Sequence, residues 1–386
     1  MPTFIDIFST SLVKDGEELC GDKVKTFKTD DKSVIVLSDG LGSGVKAHIL
    51  ATLTSEIISN MLKAEISLED VIDTVLNTLP ICKVRKIAYA TFTIIELDRK
   101  TNNFRVINFD NPPIFFIKNG KIQYPIIQTV EILNKKISII EGKLDKGNLL
   151  LAISDGVLYA GMGISLNFGW GWDVIANYIE SLLITHSSTA RDIISEISNK
   201  AAKLYNGKIN DDATIVGLYA RERLDLIMFS GPPENKEKND IYAEQVLRFD
   251  GRRVICGGTT TNIVASWLGE EIEMSISTMT KDLPPIGKLP GVDLVTEGIV
   301  TLQKCMEYLK NAKGEITLLP TTIDGAVVLS KELLTADYIH IIAGMGVNET
   351  SQYYMKPTRI SVRKGIIEEL SSILRECNKE VEVEYC

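Results

Sequence analysis

The sequence lacks a long uninterrupted apolar stretch, a closely spaced pair of cysteines and a leader-like start. Its longest strongly apolar run begins at Asn148 and stops at Asp155, short of the ~18–20 residues that a membrane span needs. The cysteines and histidines are scattered, with no C-x-x-C pair, so neither a disulfide framework nor a zinc site is indicated. The first residues have no basic region leading into an apolar one, and we expect a cytoplasmic protein with reduced thiols.

The sequence also has fewer basic than acidic residues. The chain has 42 Lys and Arg residues against 51 Asp and Glu, which gives a net charge of −9. This balance opposes a broad phosphate-binding surface, so neither nucleic acid nor a membrane is expected as a partner. What the chain does have is 45% hydrophobic residues over 386 positions, enough to bury real cores. Because an average domain has roughly 100–200 residues, we expect two domains.

The first half of the chain shows apolar runs separated by turn signals. The run 33–38 is followed by Asp39-Gly40 and then by five apolar residues at four-residue intervals, a spacing that predicts a helix. Those residues are Val45, Ile49, Leu53, Ile57 and Met61. Antiparallel strands are predicted at 89–97, 104–109, 114–117, 149–154 and 213–219. A second helix is predicted at 188–204, with its apolar residues on one face.

The second half alternates strands and helices. Arg221 and Arg223 interrupt the last strand of the first half, and the charged segment 231–238 follows, so the boundary is predicted near residue 220. Strands are predicted at 224–229, 253–256, 338–343 and 359–362. Helices are predicted at 239–248, 261–268, 293–310, 324–335 and 363–377. We therefore expect one domain over residues 1–220 and a smaller α/β domain over 221–386 at the C-terminus.

Acidic residues end or begin apolar strands at three places in the first domain, Asp39-Gly40, Asp155-Gly156 and Asp211-Asp212. A carboxylate is costly to hold beside a core without a partner. Mn²⁺ and Mg²⁺ take oxygen ligands, which can converge from the ends of neighbouring strands. A single Asp-Gly is far more often an ordinary turn, but three strand-terminal acidic sites in one domain indicate a cation site.

The motifs around these residues carry a resemblance. The sequence D-G-L-G-S-G-V-K-A starts at Asp39, A-I-S-D-G-V surrounds Asp155, and D-D-A-T-I-V starts at Asp211. In order and spacing they resemble the metal-dependent protein serine/threonine phosphatases of the protein phosphatase 2C type, in the bacterial branch represented by the sporulation stage II protein E phosphatase. Cys20-Gly21-Asp22 is similar to the S-G-D that opens the domain in that branch, and the resemblance covers roughly residues 10–220.

The resemblance implies an α+β fold, an α-β-β-α sandwich with two Mn²⁺ or Mg²⁺ ions between antiparallel sheets. It implies that Asp39 bridges both ions, that the Gly40 carbonyl holds one of them, and that Asp155 and Asp211 hold the other. It also implies that Asp22 is an acidic residue beside the first ion. The implied activity is hydrolysis of phosphoserine or phosphothreonine on a regulatory protein by a metal-activated water, without a phosphoenzyme.

Other chemistries are weighed against this one. No cysteine heads the C-x₅-R loop of a cysteine-dependent phosphatase, because Thr26 and Ala88 stand where the arginine would follow Cys20 and Cys82. The basic residue that binds the substrate phosphate in eukaryotic members has no obvious counterpart near residue 20. Two alternatives stay open: a phosphatase fold used as a weakly active scaffold with a C-terminal nucleotide- or phosphate-binding module, and a small-molecule phosphohydrolase.

The C-terminal half contains one further motif, a strand followed by Gly-Gly, a threonine cluster and a helix. Such a turn presents backbone N–H groups to an anion, here those of Gly257, Gly258, Thr259 and Thr260. The alternative is a helix capped by one of the threonines. This half resembles no family that we recognise, so a ligand sensor, a targeting module and a homodimerisation platform all stay open.

Overall fold

The computed structural model describes residues 3–29, 31–78, 90–132, 135–185, 189–281, 283–346 and 356–386. The chain divides into two compact units, with the division between Glu222 and Arg223. Each unit has hydrophobic clusters of its own. In the ranges given above, no helix combines the length and the apolarity that crossing a bilayer requires.

The first unit is built from antiparallel strands and flanking helices. Its strands are β1 (Thr3–Leu12), β2 (Asp22–Lys28), β3 (Lys32–Gly40), β4 (Ala90–Asp98), β5 (Asn103–Phe109), β6 (Phe115–Lys118), β7 (Lys121–Gln123), β8 (Gln128–Ile132), β9 (Lys135–Lys143), β10 (Leu149–Ile153) and β11 (Ala213–Glu222). Its helices are α1 (Gly44–Lys63), α2 (Leu68–Thr78), α3 (Asp155–Leu158), α4 (Trp172–Thr185) and α5 (Ala190–Leu204). One sheet has the order β1-β11-β10-β6-β7 and the other the order β2-β3-β4-β5-β9-β8.

The apolar residues of these strands arrange the unit in four layers. Leu37 and Val106 from the β2 sheet pack with Leu150 and Val216 from the β1 sheet, which forms the core between the sheets. Helices α1 and α2 cover the outer face of the β2 sheet, and α4 and α5 cover the outer face of the β1 sheet. The predicted α-β-β-α sandwich is confirmed.

The two helices predicted in this unit differ in how well their buried faces were anticipated. In α5 the apolar face is buried as the periodicity indicates, with Ile193 and Ile197 each 1% exposed. In α1 the first three residues of the four-residue spacing face solvent instead. They are Val45, Ile49 and Leu53, with exposures of 61%, 50% and 49%. The buried face of α1 carries small residues such as Ala47 and Ala51, which let the helix lie close to β2 and β3.

The second unit is an α/β fold around one mixed sheet. Its strands are β12 (Asp225–Ser230), β13 (Arg252–Cys256), β14 (Glu273–Ser275), β15 (Ile286–Leu289), β16 (Val292–Thr296), β17 (Tyr338–Ala343) and β18 (Glu380–Tyr385). Its helices are α6 (Asn239–Leu247), α7 (Gly258–Leu268), α8 (Ile299–Ala312), α9 (Gly325–Thr335) and α10 (Lys356–Glu376). The sheet order is β14-β15-β16-β13-β12-β17-β18. The five strands from β16 to β18 are parallel to one another, whereas β14 pairs antiparallel with β15 and β15 antiparallel with β16.

Two predicted elements of this unit are wrong. The segment 359–362, predicted as a strand, lies in α10, because four apolar and polar residues in alternation are too short to distinguish a strand from a helix. The predicted helix 293–310 begins as β16, and α8 starts only at Ile299. Leu294 and Val295 are buried on opposite faces of the sheet, a pattern that the continuous apolar run conceals.

Candidate functional site

Acidic side chains from neighbouring strand ends meet at one edge of the sandwich. Asp22, at the start of β2, lies opposite Asp39, near the end of β3, in the antiparallel register. Asp155 follows β10, and Asp211 lies just before β11, the neighbour of β10 in the other sheet. The charges of Asp22, Asp155 and Asp211 all act on the carboxyl group of Asp39. The structure therefore brings together the acidic residues that the sequence singled out in this unit.

Burial raises the pKa of all four carboxyl groups. The pKa of Asp39 rises to about 10, first through burial and then through the neighbouring carboxylates. Asp22 is 4% exposed, and burial raises its pKa to about 7 although the Ser154 hydroxyl donates a hydrogen bond of 2.7 Å to it. The pKa values of Asp155 and Asp211 are also raised, mainly by burial. A cation beside this cluster would offset its charge and lower these pKa values.

Glycines beside the aspartates are what allow the strand ends to approach. A Cβ atom on Gly40 would lie 2.1 Å from the carbonyl oxygen of Ala47 in α1. A Cβ atom on Gly156 would lie 2.1 Å from the carbonyl oxygen of Asp212, and one on Gly21 would lie 2.8 Å from Asp212 Oδ2. No side chain fits at these contacts, so the recurring glycines have a steric reason in addition to their role in turns.

Asp212 supplies a buried oxygen that lacks a partner. Its Oδ1 atom accepts a hydrogen bond of 3.1 Å from the backbone N–H of Lys14. Its Oδ2 atom is buried and has no hydrogen-bond partner in the described part of the chain. Leaving a carboxylate oxygen buried and unpaired is costly, and a cation beside it would remove that cost.

The donor set has the chemistry that a hard divalent cation requires. Its donors are carboxylate and backbone oxygens, while burial raises the pKa of the nearby Cys20 thiol to about 12, so that no thiolate competes. Among the described residues, no three His, Cys, Asp or Glu side chains are grouped tightly enough to hold an ion by themselves. The carboxyl group of Asp155 instead acts directly on that of Asp39 and raises its pKa. Water and backbone carbonyls would have to complete the coordination, as Mg²⁺ in particular allows.

Hydroxyl and amide groups hold the acidic strand ends in place. Ser154 Oγ accepts a hydrogen bond of 2.8 Å from the backbone N–H of Thr214 and donates its own proton to Asp22. Thr91, which lies opposite Asp39 in the register, donates to Asn111 Oδ1. Asn111 belongs to the Asn-Pro-Pro turn and is 8% exposed. These contacts link both sheets to the acidic edge.

Two residues near the acidic edge are absent from the sequence prediction. The charge of Lys14 lowers the pKa of Asp211 against the larger effect of burial. The hydroxyl of Tyr205 donates a hydrogen bond of 2.7 Å to the carbonyl oxygen of Gly156. Neither residue stands in a recognisable motif, because the pairing of β1 with β11 and the packing of α5 bring them to the site.

In the second unit, the predicted Gly-Gly turn stands at the start of α7. The helix has Gly257 as its N-cap, with a φ angle of 117°, and no side-chain cap was found in the part of the chain that is described. Thr260 Oγ1 is engaged elsewhere, since it accepts a hydrogen bond of 2.9 Å from the backbone N–H of Gly231. The alternative of a threonine cap is therefore wrong, and Gly258 and Thr259 are the first residues of the helix.

Comparison with known proteins matches residues 29–221, half of the chain, to the Stage II sporulation protein E family. The stage II sporulation protein E of Bacillus subtilis strain 168 is 23% identical over 189 residues, which cover 48% of this chain and 22% of that protein. The protein of the same name from Priestia megaterium is 22% identical over 217 residues, which cover 55% of this chain and 36% of that protein. This chain thus spans well under two thirds of these relatives.

Among solved structures, the PP2C phosphatase domain of the Bacillus subtilis cell fate determinant SpoIIE, solved with a fragment of its regulatory domain, is similar with a TM-score of 0.48. It is 17% identical to this chain, and the alignment covers 57% of this chain and 62% of that one. The matched region of the family profile contains Asp39, Asp155 and Asp211.

Proposed function

This chain belongs to the stage II sporulation protein E family, and we propose that it is a divalent-metal-dependent phosphatase acting on phosphoserine or phosphothreonine of a regulatory protein. The observation that carries the proposal is the convergence of Asp22, Asp39, Asp155 and Asp211 from neighbouring strand ends. The five cysteines that the structure describes are all unpaired, which supports a reducing, cytoplasmic setting.

We assign two Mn²⁺ or Mg²⁺ ions to the acidic edge. The carboxylates of Asp22, Asp39, Asp155 and Asp211 and the Gly40 carbonyl would hold them. Bound there, the ions would lower the pKa of a coordinated water and offset the negative charge of the phosphoryl oxygens. The chemistry of the donors supports this assignment, since each of these residues offers a hard oxygen.

The chain's own groups orient the site and manage its protons. Burial and the neighbouring carboxylates raise the pKa of Asp39, and a cation held beside Asp39 and Asp155 would lower it. Ser154 holds Asp22 through the hydrogen bond to its carboxylate. Lys14, whose charge already acts on Asp211, is the cation that we expect to attract the phosphate group of the substrate.

Exposed apolar side chains follow Gly40 and α3 closely in the chain, and we relate them to a protein substrate in preference to a sugar or nucleotide phosphate. Val45 and Ile49 are exposed on α1, which starts four residues after Gly40. Met162 and Phe168, exposed by 49% and 88%, lie in the segment that follows α3. Where such side chains form one contiguous patch, they mark a surface that contacts proteins.

The test is hydrolysis of an aryl phosphate and of phosphoserine and phosphothreonine peptides by the full chain, with and without Mn²⁺. We expect Mn²⁺ to stimulate hydrolysis, and Asp155→Asn to lower it by at least about 100-fold, because electrostatic stabilisation of the transition state is lost. Asp145→Asn is the matched control. Asp145 is an exposed aspartate that pairs with Lys143, away from the acidic edge.

The alternatives give different results in the same assay. Unchanged turnover in Asp155→Asn would remove the site assignment. Much faster hydrolysis of sugar or nucleotide phosphates than of phosphopeptides would favour a small-molecule phosphohydrolase. Calorimetric binding of Mn²⁺ without turnover of any of these substrates would favour a phosphatase fold that serves as a scaffold.

A further inference from the structure

We propose that the second unit contains a binding site for a small phosphomonoester at the carboxyl edge of its parallel strands. The site is a cavity of about 220 Å³. It is lined from the ends of β12, β13 and β16, from the starts of α7 and α8, and from α10. The lining residues that carry the argument are Ser230, Gly257, Gly258, Glu297, Gly298 and Arg363.

The topology of the sheet favours a ligand site at this edge. The helices that follow β12 and β13, α6 and α7, pack on one face of the sheet. The helices that follow β16 and β17, which include α8, α9 and α10, pack on the other face. The connections therefore change sides between β12 and β17, which are neighbours. In open α/β sheets, ligands bind outside the carboxyl ends of the strands at such a change of side.

Two helix N-termini adjoin at the cavity. The N-cap residues of α7 and α8 are Gly257 and Gly298, and in the described chain neither helix has a side-chain cap. A Cβ atom on Gly298 would lie 3.4 Å from the Cα atom of Gly257, so the two helix starts are in contact. Both helices direct the positive ends of their dipoles to the same place, and the guanidinium group of Arg363 adds a full charge.

The side chain of Ser230 is a second feature of the cavity, independent of the two helix N-termini. Its side chain is 3% exposed, and its hydroxyl has no hydrogen-bond partner among the residues that the structure describes. Alternation along β12 puts Ser230 on the same face as Met228, the face on which α8 and α10 pack and from which Arg363 enters the cavity. A ligand oxygen in the cavity would give this hydroxyl a hydrogen-bond partner.

The carboxylate of Glu297 indicates that the ligand carries a hydrogen-bond donor as well as a phosphate. Its Oε2 atom is buried and unpartnered within the described ranges, and the residue lines the same cavity. A carboxylate repels a bare anion but accepts hydrogen bonds from a hydroxyl or ammonium group. We therefore expect a ligand with a phosphate at the two helix starts and such a donor toward Glu297. The cavity, at about 220 Å³, is smaller than the ~300–1,000 Å³ of typical ligand pockets and suits a small ester.

The test is calorimetric titration of the full chain in the presence of EDTA, so that no metal at the acidic edge of the first unit binds phosphate. The probes are inorganic phosphate, glycerol 3-phosphate as the hydroxyl-bearing ester, and phosphoethanolamine as the ammonium-bearing ester. We expect at least one of the two esters to bind about tenfold more tightly than inorganic phosphate, because only the esters reach Glu297.

Substitutions inside and outside the cavity test whether the phosphomonoester binds there. Gly258→Asp puts a carboxylate in the first turn of α7, where a side chain has open space and an acidic residue suits the helix. We expect it to weaken ester binding by at least about tenfold while the melting temperature is kept. Ser230→Ala should weaken binding by about three- to tenfold through the lost hydrogen bond. Ser266→Asp, the same change of charge at an exposed position of α7, should leave the affinity within about twofold.

Three results would overturn the proposal. One is the absence of binding by all three probes at millimolar concentration. Another is equal affinity in Gly258→Asp and the unmodified chain. The third is a similar loss of affinity in Ser266→Asp and Gly258→Asp, since this would indicate a general effect of charge.

Discussion

Asp39 shows at the scale of one residue how burial acts on the proposed metal site. In the protein without metal, burial and three neighbouring carboxylates keep its proton in place. The folded state therefore binds a proton that the unfolded chain releases at much lower pH. The residue that is central to the proposed metal site is thus a source of instability when the metal is absent.

The first prediction concerns the pH dependence of stability. The pKa of Asp39 in the folded protein, about 10, lies above its ordinary value of 3.8. Between these values the folded state holds more protons, so stability falls as the pH rises. In EDTA, urea unfolding of the Asp39→Asn variant should show a shallower fall between pH 5 and pH 9, by at most about 1.4 kcal/mol per pH unit. Parallel curves for the two proteins would contradict this expectation.

Lys14 gives a second prediction at the residue scale. Its charge acts on Asp211, so it should attract the phosphate group of a substrate without taking part in the chemical step. Lys14→Ala should raise KM for a phosphopeptide by about three- to tenfold and leave kcat within twofold, with the difference shrinking at high salt. The control is Lys32→Ala, at the exposed start of β3. An unchanged KM, or an equal effect of both substitutions, would exclude this role.

At the scale of elements, the strand ends depend on the absence of side chains. Gly156 lies in the first turn of α3, directly after β10, and touches the backbone of Asp212 just before β11. These contacts hold Asp155 against the neighbouring strand end. A local motif, Asp-Gly, thus has a cause that lies about 55 residues further along the chain, in the close packing that any added atom would disturb.

The third prediction is that Gly156→Ala pushes the start of α3 away from the strand end at Asp212. Its Cβ atom would lie 2.1 Å from the carbonyl oxygen of Asp212, so the strand end has to move. We expect a loss of about 1–3 kcal/mol in the free energy of unfolding in EDTA, together with weaker Mn²⁺ binding, because Asp155 moves with the turn. Urea unfolding and calorimetric titration measure the two effects.

The control for this substitution is Gly365→Ala in α10. An added Cβ atom there meets open space, and alanine favours a helix interior by up to about 1 kcal/mol over glycine. Stability should therefore be unchanged or slightly raised. If Gly156→Ala behaved like Gly365→Ala, the close contact with Asp212 would not hold the acidic edge together.

Elements also show where sequence patterns mislead. The spacing of Val45, Ile49 and Leu53 predicts a helix correctly, yet these side chains face solvent and Ala47 faces the sheet. Periodicity indicates that a helix forms, but which face is buried depends on how closely the sheet lies. In 359–362 the pattern is too short to indicate even the type of element, and the packing of α10 over the sheet decides it.

At the scale of the whole molecule, the two units have separate cores. Clusters of the first unit lie within residues 3–222, and those of the second within 223–386. Differential scanning calorimetry should therefore show two transitions. Mn²⁺ at 100 times its Kd should stabilise one of them by about 2.7 kcal/mol, and the phosphomonoester should stabilise the other.

Variants assign the transitions. Asp155→Asn should remove only the shift caused by Mn²⁺, and Gly258→Asp only the shift caused by the ester. A single transition that both ligands shift would mean that the units unfold together, contrary to the expectation from separate cores.

The sequence by itself determined the family and the sandwich, the position of the acidic residues on strand ends, and the alternation of strands and helices in the second half. These properties are local, because a strand, a turn glycine and a carboxylate are each specified by a few consecutive residues. Only the tertiary structure decided which face of α1 is buried, that Lys14 lies near Asp211, and that the starts of α7 and α8 adjoin beside Ser230. These properties arise from contacts between residues far apart in the chain, which no local pattern records.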